Sequence, residues 1–198
     1  MRISIVGNIG SGKSTLLTKL QSDGKSVVFE PVSQWTALPE FYKDQNKWAL
    51  ALQIQILDSF VNNPCNNYNV IVERSPWESL NIFAQYLANK NILCEIEMNI
   101  LKSINQKIGW EPDVYIYVDT CPKKCMERIK NRGRECEECI DIEYIKELDD
   151  LYKDNILSLD MKGYSVYKID GNKSEDQVFG AVKSIIDYLS KSCQLLFV

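Results

Sequence analysis

Eight consecutive residues, Gly7, Asn8, Ile9, Gly10, Ser11, Gly12, Lys13 and Ser14, fit the pattern G-x-x-x-x-G-K-[ST], with Thr15 directly after. Glycines at this spacing let the backbone curl until its N–H groups face phosphate oxygens. Lys13 brings a positive charge to the β- and γ-phosphates, and the Ser14 hydroxyl is a ligand for Mg²⁺. A strand-type run, Arg2–Val6, precedes the motif and a helix-type run follows it, which is the setting such a loop requires. The expected ligands are ATP and Mg²⁺, on a chain of the α/β class.

Two acids stand at strand ends. Glu73, followed by Arg74 and Ser75, closes the apolar run Val70–Val72. An acid at the carboxyl end of a strand beside a phosphate loop supports Mg²⁺, so Ser14 and Glu73 are the candidate metal ligands. Glu30 closes the run Val27–Phe29 and faces the same crevice. The chain has no histidine, so a proton must move through Asp, Glu, Lys, Tyr or Cys. Glu30 is the best candidate for activating an acceptor hydroxyl, although either acid could be a solvated strand-end carboxylate.

The arginines are concentrated. Of five, Arg128, Arg132 and Arg134 fall within seven residues, beside Gly133. Guanidinium forks suit phosphate oxygens, and a cluster on a helix end plus a glycine-hinged loop suits a lid over a transferring phosphoryl group, at about residues 128–140. Gln53 sits among Leu50, Leu52, Ile54 and Ile56, where its amide needs a partner; the edge of a nucleobase could serve. Tyr42, Trp48, Phe60 and Phe83 lie on helical segments near the acceptor crevice, where core packing explains them as well. Cys121 and Cys125 with Cys136 and Cys139 loosely imitate zinc spacing, but the second pair falls in the lid, and reduced thiols are the expected state.

These residues need a scaffold. Helical patterns cover 14–22, 44–62 (stopped by Pro64), 76–89, 94–108, 123–131, a segment capped by Asp141, and 174–190. They alternate with strand runs at 2–6, 27–29, 70–72, 114–118 and 166–169. The strand cores are rich in Val and Ile without in/out alternation, the mark of a parallel sheet covered on both faces. One domain of 198 residues is expected, a five-stranded parallel sheet with helices on both faces and an Arg-rich lid. A net charge of −4 argues against nucleic-acid binding, and no run approaches a membrane span. Seven cysteines and the lack of a secretory pattern point to a reducing, cytoplasmic setting.

In their order and spacing these motifs resemble the deoxyribonucleoside kinases, the deoxycytidine/deoxyguanosine/mitochondrial thymidine kinase group. The resemblance rests on Gly7–Thr15, Glu30–Trp35, Trp48–Gln53, Glu73–Ser75 with Ile82–Ala84, Arg128–Arg134, Glu137 and Ile140–Tyr144. It implies a P-loop kinase fold that phosphorylates a deoxyribonucleoside 5′-hydroxyl with ATP. Glu30 would be the base facing that hydroxyl and Arg74 would position it. Tyr42 and Glu137 would bind the 3′-hydroxyl. Gln53 would read the base, with Trp35 and Phe83 packed against it. The three lid arginines would reach the donor phosphates, and the turn Asp170, Gly171 and Asn172 would contact the donor adenine. A homodimer is also implied. One departure is Cys136, where the family often carries a second lid acid.

The resemblance also bears on the base. Relatives that favour deoxycytidine or purines carry an Arg and an Asp where this chain has Phe60 and Ser79. Without that charged pair, and with Phe60, Ile56 and Trp35 narrowing the slot, pyrimidine deoxynucleosides, thymidine and deoxycytidine, are the expected acceptors. Two other readings compete. A thymidylate-type kinase would need Arg before and Gly after the Glu30-Pro31 pair, where Phe29 and Val32 stand. A non-catalytic nucleotide-binding subunit would not need Lys13, Ser14, Glu30, Glu73 and the lid arginines all together.

Overall fold

The computed structural model describes residues 1–61, 70–108 and 110–195, with the backbone alone for 192–195. Its centre is a sheet of five parallel strands: β1 (Arg2–Val6), β2 (Val27–Val28), β3 (Val70–Glu73), β4 (Val114–Asp119) and β5 (Ser165–Asp170). Their order across the sheet is β2-β3-β1-β4-β5. β1 is central, with Ile3 paired to Ile71 on one side and Val114 on the other. Ile3–Val6 and all of β3 are buried, which is why these strands read as unbroken apolar runs. The sheet edges are a two-residue strand, β2, and the largely exposed β5. Phe29, expected in the second strand, lies beyond its end.

The helices are α1 (Lys13–Ser22), α2 (Ala37–Lys43), α3 (Gln45–Val61), α4 (Pro76–Glu78), α5 (Gln85–Asn89), α6 (Glu95–Ile108), α7 (Pro122–Arg132), α8 (Ile142–Met161) and α9 (Glu175–Leu195). Period-2 alternation along β4 divides the core. Val114, Ile116 and Val118 join Ile3 and Ile5 against Leu16, Leu17 and Leu20 of α1 and Val178, Val182 and Ile186 of α9. Tyr115 and Tyr117 point the other way, into a cluster built from α2, α3, α6 and α8. Each fully buried leucine there contributes roughly 1.5–3 kcal/mol over an exposed one. The fold is therefore the expected one, an all-parallel five-stranded sheet with helices on both faces.

Several elements differ from the sequence reading. α2 is foreshadowed only by the helical placement of Tyr42 and given no range, because seven residues are too few for a periodic signal. Pro39 is the third residue of that helix, where an N–H would have no intrahelical partner, so its ring costs little. Between α4 and α5 the chain keeps turning but loosens to a π-helical stretch, Ser79–Ala84. A 3₁₀ turn, Glu135–Glu137, follows α7. Asn62, Pro64 and Cys65 lie outside the described residues. Asp141 caps α8 as expected, its carboxylate accepting from the Tyr144 N–H at 2.8 Å. No helix among the described residues is long and apolar enough to cross a membrane.

Candidate active site

At the carboxyl end of the sheet a cleft of about 450 Å³ collects the segments that follow β1, β2, β3 and β5. In such sheets the crevice beyond the strand ends is where ligands sit. Ile9, Gly10, Ser11, Gly12, Lys13, Ser14 and Thr15 form one wall. Gly10 has φ +75°, and a Cβ there would stand 2.5 Å from the Cys125 carbonyl oxygen, so only glycine fits. Lys13 is 5% exposed and donates to the Gly7 oxygen at 2.6 Å and the Asn8 oxygen at 2.8 Å. Burial pulls its ammonium below the usual lysine range. Asn8 is structural: its amide donates to the Ile145 oxygen at 2.8 Å, tying the loop to α8.

The two strand-end acids meet in this corner. The Ser14 hydroxyl donates to Glu73 Oε1 at 2.6 Å, and Glu73 Oε2 accepts from the Glu30 N–H at 3.3 Å. Glu73 thus pins the phosphate-loop helix to the end of β2. Ser14 and Glu73 present hard oxygen donors at the loop, a set that fits Mg²⁺ with water and phosphate completing its shell. Among the described residues no three or more His, Cys, Asp or Glu converge on a metal position, the lid cysteines included.

Glu30 and Arg74 form a buried pair, Oε1 to Nη1 at 3.1 Å, with side chains only 8% and 11% exposed. Burial pushes the Glu30 carboxyl up to about 7, although Arg74 pulls the other way. Arg74 has φ +65°, uncommon for a residue with a side chain. Its guanidinium carbon lies 4.3 Å from the Phe83 ring centre, and its Nε 3.9 Å from Glu78. Strain at this position is repaid by aiming the guanidinium back along the strand end at Glu30.

Trp35, Tyr42, Gln53, Arg74 and Phe83 line the other half of the cleft, joined by Val32, Leu38, Phe41, Leu52, Ile56, Leu87 and Tyr144. Gln53 is 2% exposed and its Oε1 accepts from the Ser79 hydroxyl at 3.1 Å. Ser79 stands behind Gln53 rather than on the wall. Phe60 does not reach the cleft either: it packs edge-on against Trp110, ring centres 5.8 Å apart, inside the core. The expected narrowing of the slot by Phe60 is therefore corrected; Ile56, one turn nearer, takes that place.

Arg128, Arg132, Arg134 and Glu137 line the mouth. Arg128 donates to the Ser11 oxygen at 2.7 Å and the Gly171 oxygen at 3.1 Å, knitting the phosphate loop to the turn after β5. Glu137 is 5% exposed; its Oε2 accepts from Arg132 Nε and its Oε1 from Arg134 Nη1, each at 3.1 Å. In that turn only Gly171 faces the cleft. Asp170 accepts from the Asn172 N–H and amide at 3.0 Å, and Asn172 accepts from the Cys121 N–H at 3.0 Å, so these two shape the turn. Sequence reasoning missed Glu78 and Tyr152, buried behind Arg74.

Comparison with known proteins agrees with this geometry. The deoxynucleoside kinase family model matches residues 3–193. A protein of Invertebrate iridescent virus 6 that carries the name of a kinase is 31% identical over 189 residues, covering 93% of this chain and 96% of that protein. A deoxyguanosine kinase of Dictyostelium discoideum is 31% identical over 186 residues, covering 88% of this chain and 65% of its own. A deoxyadenosine kinase from M. mycoides, solved with bound dCTP, superposes with a TM-score of 0.85 at 24% identity, over 95% of this chain and 100% of that one. The chain belongs to the deoxynucleoside kinase family and is an enzyme that phosphorylates deoxynucleosides.

Proposed function

We propose that this chain moves the γ-phosphoryl group of ATP to the 5′-hydroxyl of a deoxyribonucleoside, with pyrimidines favoured. The observation that carries the reading is the buried Glu30–Arg74 pair standing in the same corner as the phosphate loop. Glu30 accepts the hydroxyl proton as the oxygen attacks, and Arg74 holds that oxygen and the charge arriving on it. Lys13 delivers its charge to the donor phosphates from the loop floor. Ser14, with Glu73 beside it, would hold Mg²⁺, which would supply positive charge to the donor phosphates.

Residues 128–140 act as the lid of a single working domain. Arg132 and Arg134 are held at the mouth by Glu137, ready to exchange that carboxylate for phosphate oxygens. Glu137 keeps lone pairs for a 3′-hydroxyl, since a carboxylate has about four acceptor sites. Tyr42 stands on the same side of the cleft, and Gly171 lies where the donor adenine rests.

The base enters between Trp35 and Phe83. Gln53 faces it with an amide that can be turned either way, because the Ser79 hydroxyl accepts as readily as it donates. Thymine and cytosine are both served, because Phe60 and Ser79 stand where a selecting Arg and Asp would be. Relatives named for purine nucleosides belong to the same family, so the base preference rests on the pocket alone. Initial rates with thymidine, deoxycytidine, deoxyadenosine and deoxyguanosine test it. Highest kcat/KM for the two pyrimidines is expected; highest kcat/KM for a purine overturns the preference.

A further inference from the structure

Glu78 is fully buried, yet no step above uses it. The run Ser75, Pro76, Trp77, Glu78 has the S-x-x-E spacing of a helix capping box, in which the acid folds back over the first turn. The chain uses it otherwise. Ser75 makes no side-chain cap bond, and the Glu78 carboxylate turns inward. Its Oε1 accepts from the Gly7 N–H at 3.2 Å and from the Tyr152 hydroxyl, and lies 3.9 Å from Arg74 Nε. One carboxylate therefore touches the first residue of the phosphate loop, the arginine beside the acceptor, and α8.

We propose that Glu78 is a positioning residue for phosphoryl transfer, fixing Gly7 and Arg74 to each other so that the donor and acceptor halves of the cleft keep one register. Gly7 is held through both flanking peptides, its N–H by Glu78 and its carbonyl by Lys13. Arg74 is flanked on three sides, by Glu30 and Glu78 at ion-pair distances of 3.1 and 3.9 Å and by the Phe83 ring, and its Nε, facing Glu78, makes no hydrogen bond. Tyr152 braces the carboxylate from behind; it has no solvent exposure and stacks on Tyr117 with ring centres 5.9 Å apart. Burial favours protonated Glu78, while Arg74, Lys13 and the donors from Tyr152 and Gly7 favour its charge. The ionised form faces the same cations as Glu30, whose other charged neighbours are Arg74, Glu73 and Lys13.

The inference rests on the proposed transfer mechanism and is tested with it. Steady-state kinetics with ATP and a deoxynucleoside are measured for the wild type, E78Q, E78D and Y152F, with circular dichroism to check folding. E78Q keeps an acceptor for the Gly7 N–H and the Tyr152 hydroxyl but loosens the hold on Arg74. Its kcat should fall about 10- to 100-fold, the scale of a small misplacement of reacting groups, while KM for ATP and for the deoxynucleoside stays near wild type. E78D loses the reach to Gly7 and Arg74, so kcat falls with the same unchanged KM values. Y152F removes the brace behind the carboxylate and lowers kcat several-fold in the same way. A folded E78Q or E78D with wild-type kcat, or with its loss confined to KM, overturns the proposal. Should the Glu78 variants not fold, a Y152F enzyme with wild-type kcat overturns it. A wild type that turns over no deoxynucleoside would instead overturn the mechanism beneath it.

Discussion

Replacing Glu30 by Gln separates catalysis from stability. The amide keeps the shape of the side chain and can still accept from Arg74, but it cannot take a proton. Turnover should fall by roughly 10²–10⁴, the contribution of a positioned general base. Stability should move the other way. A carboxyl that titrates at about 7 rather than at 4.5 carries an ionisation cost of about 3 kcal/mol in the folded state. The sign follows from linkage. The folded protein holds this proton more tightly than the unfolded chain, so the cost is absent below about pH 4.5, grows as pH rises, and is complete above about 7. The variant never bears it. Removing one partner of a buried pair usually destabilises, by leaving the other charge uncompensated. Here Arg74 still has Phe83 and Glu78. Urea unfolding of both proteins at pH 5 and pH 8 measures the difference. Glu30→Gln should be close to wild type at pH 5 and more stable by up to about 3 kcal/mol at pH 8. A variant no more stable than wild type at pH 8 would show that the attraction of Arg74 outweighs burial, and near-normal turnover would remove Glu30 from proton transfer.

Three further outcomes follow from the same geometry. Because Glu30 must be ionised to act, wild-type kcat/KM should fall as pH drops through about 7, and a profile flat to pH 5 contradicts that role. Gly10→Ala forces a Cβ toward the Cys125 carbonyl at a positive φ, and should cost about 1–3 kcal/mol of stability with weaker ATP binding by calorimetry. Ser79→Ala frees Gln53 from its buried partner; losing about 1 kcal/mol of positioning should lower kcat/KM for pyrimidine deoxynucleosides about fivefold, and an unchanged value would detach Ser79 from base recognition.

Much of this was legible in the sequence because each signal is local. The phosphate loop declares itself through glycine spacing between a strand and a helix, and the strands through runs that need burial on both faces. Glu30, Glu73 and Arg74 were readable because strand ends of a parallel sheet all empty into one crevice. Phe60 misled: it lies seven residues after Gln53, on the same helical face, but the cleft ends at Ile56 and Trp110 covers the next turn. Ser79 was expected at the base and holds Gln53 from behind instead. Glu78 was invisible because its partners, Gly7 and Tyr152, are 71 and 74 residues away, and a Glu in a first helical turn reads as an ordinary exposed residue. Such long-range polar contacts leave no periodicity to detect.

One measurement decides the mechanism: the position and identity of the phosphorylated acceptor. The purified protein is incubated with Mg²⁺–ATP and, in parallel, thymidine, deoxycytidine, deoxyadenosine, deoxyguanosine or thymidine monophosphate, and the products are resolved and their phosphate located by ³¹P–¹H NMR. The expected products are 5′-monophosphates of deoxynucleosides, formed fastest from the pyrimidines, with no phosphorylation of thymidine monophosphate. Thymidine diphosphate as the main product, or phosphate on the 3′-oxygen, would contradict the mechanism.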